Sequence, residues 1–160
     1  MTNQQLIIKM NLDAWNSHVS RTEKLINSLS DSEIRQPTAP GRNTGTYLLG
    51  HLVAVHDAMR PLMDFGNKLY PMLEDIFIKT PDNPGMEKPA IGDLRNYWAE
   101  VHASLASSFQ KLTPDVWFMK HTSVSTEDFE KEPHRNKMNV LISRTNHLAY
   151  HFGQLAYLRK

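Results

Sequence analysis

The sequence of 160 residues contains no cysteine, and this absence excludes several kinds of chemistry. A chain without thiols has no disulfide bonds, no thiolate metal ligands and no cysteine nucleophile. No apolar run approaches the roughly 20 residues that a helix needs to span a bilayer. The N-terminus has no cationic segment followed by an apolar core, as a secretory signal would have. We therefore expect a cytoplasmic protein without a membrane partner.

An excess of charge of one sign is also missing. The 18 Lys and Arg residues nearly balance the 17 Asp and Glu residues, and the net charge is +1. Proteins that bind nucleic acid or anionic membranes usually carry a basic patch or stripe, so we expect no nucleic-acid partner. The length fits one domain over residues 1–160, large enough to bury a core of its own.

Four long amphipathic patterns dominate what is present. In each of them apolar residues recur with the period of an α-helix, and proline-rich or polar stretches separate them. The patterns cover about residues 4–29, 44–64, 92–112 and from 136 or 137 nearly to the end. Four such helices predict an all-α fold, a four-helix bundle with its core between the helices.

The connections are predicted to hold short extra helices. Residues 67–78 contain apolar positions at helical spacing, and Thr113-Pro114 suits the start of another helical turn. Asp31–Arg42 is rich in turn residues and is predicted to be a connector. Residues 120–136 are polar and lack a period, so they are predicted to form a long surface loop, a kind of segment that is often functional or disordered.

Three histidines stand out from this framework. His147 and His151 are four residues apart on the last helix, so their side chains lie on one face. His51 falls at the centre of the apolar face of the second helix. Three imidazoles from two facing helices can bind a divalent metal and leave a coordination position open, as in catalytic sites. The pattern also fits core histidines that are hydrogen-bonded to one another, because a buried imidazole needs a partner of some kind.

No carboxylate accompanies these histidines on the inward faces of the two helices. His147-Leu148-Ala149-Tyr150-His151 has no Glu after its first His, so the general base of HExxH metalloproteases is missing. A metal on three neutral imidazoles would still lower the pKa of a bound thiol or water. A thiol needs less help from a base, since its pKa starts at about 8.5. Without cysteine in the chain, such a thiol must come from a co-substrate.

Arg144 and Tyr47 are the candidate catalytic residues for orienting a substrate. Arg144 faces inward one turn before His147, where it holds an anionic substrate group, forms an internal ion pair or extends its charged end to the end of the bundle. Tyr47, one turn before His51, is either a hydroxyl donor at the pocket or a core aromatic residue. Gln154 is expected to support a ligand rather than to be one.

The remaining histidines receive no role in this hypothesis. His102 lies at the edge of the apolar stripe of the third helix and is the one further histidine considered for the site. The others are predicted to be surface or loop residues: His18, His56, His121 and His134. The three tryptophans are predicted to lie in the core.

Two segments of the chain resemble the DinB/YfiT-like family of metal-dependent four-helix-bundle proteins. These segments are Asn43–Leu52 and His147–Leu155, and the second resembles the HxxxHxGQ signature of that family. Helix order and spacing resemble the family over essentially the whole chain. The resemblance implies a bundle that is usually a homodimer. It also implies a zinc or nickel ion held by His51, His147 and His151.

The resemblance implies several functions. Characterised members include thiol-dependent S-transferases and isomerases that use bacillithiol, mycothiol or glutathione, while others have no known activity. Arg42-Asn43 stands where the family often has an aromatic residue, and residues 120–136 carry no motif that identifies a substrate. We expect a metal-dependent thiol S-transferase or hydrolase acting on a small electrophilic molecule. The alternative is a non-catalytic, stress-related bundle that binds a metal or small ligand.

Overall fold

The computed structural model describes residues 1–83 and 85–159, and over these ranges every regular element is a helix. None of the helices in the described ranges is both long and apolar enough to cross a bilayer. The helices are α1 (Asn3–Ser28), α2 (Asp31–Ile34), α3 (Gly45–Asp57), α4 (Met59–Leu62), α5 (Leu73–Phe77), α6 (Ile91–Phe109), α7 (Pro114–Trp117), α8 (Thr126–Lys131) and α9 (Lys137–Ala156).

The four long helices α1, α3, α6 and α9 confirm the predicted all-α fold. Side-chain caps start three of them, since Thr2, Thr44 and Asn136 each accept a hydrogen bond from a backbone N–H of the first turn. The second predicted helix is divided into α3 and α4. Pro61 explains the break, because it cannot donate to the carbonyl of Asp57 and its ring crowds that carbonyl.

The connections differ from the prediction in two places. Residues 120–136, predicted as a loop without structure, contain the short helix α8, which Ser125 caps by accepting from the N–H of Asp128. No residue of α8 is buried, so the sequence carries no apolar period that would reveal it. The predicted connector 31–42 starts with the helix α2, which is capped by Ser30.

Helix α3 lies at the centre of the bundle. It packs against α5, α6 and α9, while α1 packs along α9. None of its residues is exposed, and the side chains of Trp15, Trp98 and Trp117 are buried in the core, as predicted. A helix in this position can direct polar side chains toward α9 on one side and α6 on another.

Gly50 allows α5 to approach α3 closely. A Cβ atom at residue 50 would lie 2.4 Å from ring atoms of Phe77, whose side chain is fully buried. This contact matters for the histidines, because the carbonyl of the same Phe77 lies 2.7 Å from Nδ1 of His51. The packing of Phe77 on Gly50 therefore holds the hydrogen-bond partner of His51 in place.

We expect Gly50→Ala to lower the free energy of unfolding by about 1–3 kcal/mol, because the added methyl group overpacks the contact with Phe77. Gly153→Ala is the matched control. A Cβ at residue 153 meets no atom within 4 Å, and alanine favours a helix by about 1 kcal/mol over glycine. Urea unfolding measures both variants. Equal stability changes of the same sign would contradict the close approach.

Candidate metal centre

His51, His147 and His151 meet inside the bundle. Nε2 of His147 lies 3.1 Å from Nε2 of His51 and 3.1 Å from Nε2 of His151. The candidate ligand atoms of these residues all lie within 4.8 Å of one another. Helix α3 contributes one imidazole and α9 contributes two, as the spacing in the sequence predicts. We call these residues the three-histidine cluster.

Two of the imidazoles are anchored through their other ring nitrogen. Nδ1 of His51 lies 2.7 Å from the carbonyl oxygen of Phe77, and Nδ1 of His151 lies 2.7 Å from Oε1 of Gln154. Both oxygens only accept hydrogen bonds, so in the neutral rings each Nδ1 carries the proton and each Nε2 presents a lone pair. Metal-binding histidines are commonly oriented in this way by a partner behind the ring.

Hydrogen bonds alone leave the three-histidine cluster incompletely paired. His147 can donate one Nε2 proton, to His51 or to His151, so one lone pair remains without a donor. Nδ1 of His147 is buried without a hydrogen-bond partner in the described ranges. In tetrahedral zinc sites, with Zn–N bonds of about 2.0–2.1 Å, ligand nitrogens lie about 3.3 Å apart. The donor set and its spacing therefore fit a divalent metal.

The protonation states of His147 and His151 also favour metal binding. Burial and the neighbouring charged form of His151 lower the pKa of His147 to about 4. Burial also lowers the pKa of His151, although its hydrogen bond with Gln154 acts in the opposite direction. These two rings are neutral at pH 7 and can offer nitrogen lone pairs. No carboxylate of the described residues joins the cluster, in line with the sequence pattern.

Tyr47 lies against the cluster, but its hydroxyl is engaged elsewhere. Its ring stacks on His51 with 6.1 Å between the ring centroids, and its hydroxyl donates to the carbonyl of Thr80 at 2.7 Å. Burial, followed by the charge of Asp82, raises the pKa of Tyr47. Tyr47 thus supports His51 through its ring, and its service as a donor to a substrate stays a prediction.

Arg144 is half-buried, one turn before His147. The structure shows no ion pair for Arg144 with any described residue, so the predicted internal ion pair is not found there. Its Nε atom is buried and lacks a hydrogen-bond partner in the same ranges. Burial lowers the pKa of this guanidinium. Binding of an anionic substrate group by Arg144 stays a prediction.

A second pair of histidines lies buried on another side of α3. Nδ1 of His56 lies 3.0 Å from Nε2 of His102, and the Nδ1–H of His102 donates to the carbonyl of Trp98 at 2.7 Å. The prediction that His56 is a surface residue was wrong, because its side chain is fully buried. His102 contacts His56 rather than the three-histidine cluster. A signal for this pair exists in the sequence: α3 carries apolar residues on every face, which indicates that polar residues within it are at least partly shielded from solvent.

Burial keeps the second pair neutral. It lowers the pKa of His102 to about 4 and that of His56 well below its usual value. The charged forms of His102 on α6, of Arg144 and His147 on α9, and of His51 on α3 lower the pKa of His56 further. On the α1 side Trp15 packs edge-on against His56, with ring centroids 4.9 Å apart. Protonation of either ring would therefore place an uncompensated charge in the core.

The fold and the cluster together define a helical-bundle protein with three converging imidazoles from two helices. The sequence matches the DinB superfamily over residues 14–155, and the chain belongs to this superfamily. Its fold is similar to the crystal structure of a conserved protein from Enterococcus faecalis, with a TM-score of 0.65. That likeness covers 99% of this chain and 96% of the other at 17% identity, and it shows the fold alone. No curated protein matches the sequence.

Acid should destabilise the metal-free protein through His102. Its folded-state pKa of about 4 lies below the ordinary value of 6.5, so the unfolded chain takes up the proton first as the pH falls. The free energy of unfolding should drop by about 2 kcal/mol between pH 7 and 5 from this residue alone. Urea unfolding in the presence of a chelator measures the drop.

The variant His102→Asn should show a smaller loss of stability between pH 7 and 5, since it removes the titrating ring. Its amide can still donate to the carbonyl of Trp98, which limits the structural damage. His134→Asn is the control, because His134 is exposed in a loop. An unchanged pH dependence in His102→Asn would contradict the assignment.

Proposed function

We propose that the protein is a metal-dependent enzyme that activates a low-molecular-weight thiol, or water, against a small electrophilic substrate. His51, His147 and His151 hold one divalent ion, zinc or nickel, as the DinB resemblance suggests. The observation that supports this most is the convergence of three Nε2 atoms, two of them on rings whose Nδ1 is anchored. Membership of the DinB superfamily supports the metal-binding part of the proposal.

The three imidazole ligands determine what a bound metal ion can do. A divalent ion on three neutral imidazoles keeps its full charge and lowers the pKa of a thiol or water in a remaining coordination position. No carboxylate of the described residues lies in the cluster to act as a base. Without such a base a thiol is a better nucleophile for this site than water, because the lower pKa of the thiol makes its proton easier to remove. The chain has no cysteine, so the thiol is a co-substrate.

The residues around the cluster position it. The Phe77 carbonyl and Gln154 fix two of the imidazoles, which limits their motion when a ligand binds. Arg144 is proposed to hold an anionic group near His147, because its partly buried guanidinium has an unpaired Nε–H among the described residues. Tyr47 is proposed to orient the substrate, which requires its hydroxyl to leave the carbonyl of Thr80.

A non-catalytic bundle that binds a metal or small ligand is the second candidate. The observation in its favour is that no carboxylate of the described residues joins the cluster, since a carboxylate beside a metal is a common general base. The same three histidines would bind the ion in this case. The homodimer and the cytoplasmic location remain predictions from the sequence.

Elemental analysis of tag-free protein should find about one zinc or nickel ion per chain. The variant His51→Ala/His147→Ala should lose this metal, because a single imidazole of the cluster remains. His134→Ala is the control, since it removes an exposed histidine away from the cluster. Protein that takes up no metal after incubation with zinc and nickel would contradict the proposal and favour a ligand-binding or structural bundle.

Removal of the metal should abolish turnover and leave the bundle folded. The apolar core surrounds α3 without needing a metal, so circular dichroism of chelator-treated protein should stay helical. Glutathione with 1-chloro-2,4-dinitrobenzene offers a first test reaction, and added zinc or nickel should restore it. Full turnover after complete metal removal would contradict the mechanism. A metal-loaded protein that is inactive with every thiol and electrophile would favour the non-catalytic alternative.

A further inference from the structure

A broad cleft lies between the connector that precedes α3 and the segment that leads into α6. Its volume is about 670 Å³, which is sufficient for a small-molecule ligand. The charged residues that line it are Arg35, Arg42, Asp82 and Lys88. The three-histidine cluster lies outside this cleft, because none of its residues lines it.

A smaller cleft of about 250 Å³ connects the two regions. His151 and Gln154 line it on one side, and Gly41, Arg42 and Asn43 line both this cleft and the larger one. The shared residues form a tight turn, in which the N–H of Arg42 donates to Ala39 and Gly41 has a φ of +69°. A ligand beside Arg42 can therefore extend from the larger cleft toward His151.

The larger cleft carries an excess of positive charge. The charge of Asp82 is already neutralised, because Nζ of Lys88 lies 3.1 Å from its Oδ1. The backbone N–H and the hydroxyl of Thr44 both donate to its Oδ2 at 2.7 Å. Burial opposes ionisation of Asp82, but these hydrogen bonds and Lys88 lower its pKa overall. Arg35 and Arg42 form no ion pair with any described residue. Two guanidinium groups thus remain without a counter-charge.

We propose that this cleft binds the anionic group of a substrate, a carboxylate or a phosphate, through Arg35 and Arg42. The remainder of that substrate then reaches the three-histidine cluster past Gly41 and Asn43. The role of the bound group as part of a substrate rests on the proposed function, whereas anion binding in the cleft does not. Guanidinium groups suit both anions, because their paired N–H donors match two oxygens of a carboxylate or phosphate.

The electrostatics of the surroundings favour an anion in this place. A single exposed arginine binds weakly, because solvent and salt screen its charge. Two arginines in one concave cleft add their fields, and within the described ranges no acidic residue joins the adjacent three-histidine cluster. Arg144 lines neither of the two clefts. An anionic group in the larger cleft therefore contacts Arg35 and Arg42, and it is distinct from a group held by Arg144 near His147.

The test is a titration with inorganic phosphate and with succinate, followed by ¹H–¹⁵N NMR spectra of the full-length protein in low salt. We expect saturable shifts at the amides of Gly41, Asn43 and Thr44. The variant Arg35→Gln/Arg42→Gln should weaken binding by about tenfold or more, since it removes the charge-assisted hydrogen bonds. Arg21→Gln is the matched control, because Arg21 lies outside both clefts and contacts Phe152. Comparison of the two probes shows whether carboxylate or phosphate is preferred.

Three results would overturn the proposal: no saturable shifts with either probe, equal affinity in the double variant, or an equal loss of affinity in Arg21→Gln. The metal content of each variant is measured in parallel and should match that of the unmodified chain. If the unmodified chain holds no metal while the double variant still loses anion binding, the proposed function fails and the anion site stands. If metal is bound and the double variant binds anions normally, the anion site fails alone.

Discussion

The hydrogen bond from His51 to the carbonyl of Phe77 links the fold to the candidate metal centre. The close approach of the Phe77 ring to α3, which Gly50 allows, brings the Phe77 carbonyl within hydrogen-bond distance of His51. The proton on Nδ1 then leaves Nε2 of His51 as a lone-pair donor that points toward α9. Gln154 does the same for His151 from within α9. The contact between Gly50 and Phe77 and the Nδ1–H tautomer of His51 thus depend on each other, and displacement of α5 would disturb both.

The central position of α3 explains why polar chemistry occurs in two places inside a small bundle. One face of α3 brings His51 to the three-histidine cluster, and another brings His56 to His102. Burial lowers the pKa of His147 and His151 in the first group and of both rings in the second, which makes these rings acceptable in the core and available as lone-pair donors. The difference lies in how many ring nitrogens converge. His56 and His102 share one hydrogen bond between two rings, and Nε2 of His56 has no partner among the described residues, whereas three Nε2 atoms meet in the three-histidine cluster.

The sequence predicts those features that depend on local spacing. The four long helices follow from their apolar period, and the common face of His147 and His151 follows from the four-residue separation. His51 was placed correctly because it occupies the centre of an apolar face. The prediction for His56 was wrong because an apolar period indicates one buried face per helix, while no face of α3 is exposed. The helix α8 was missed because it has no buried residue, so no period marks it. The cleft of Arg35 and Arg42 joins segments about residues 35–46 and 82–91, and a pairing across that sequence distance leaves no spacing to detect.

The most direct test of the metal centre is the tautomeric state of its histidines, observed in long-range ¹H–¹⁵N NMR correlations before and after addition of zinc. We expect His51 and His151 to carry their proton on Nδ1 in the metal-free protein. The Nε2 resonances of all three residues of the cluster should shift when an equimolar amount of zinc is added. Protons on Nε2 of His51 and His151, or Nε2 resonances that do not respond to zinc, would contradict the proposed metal centre.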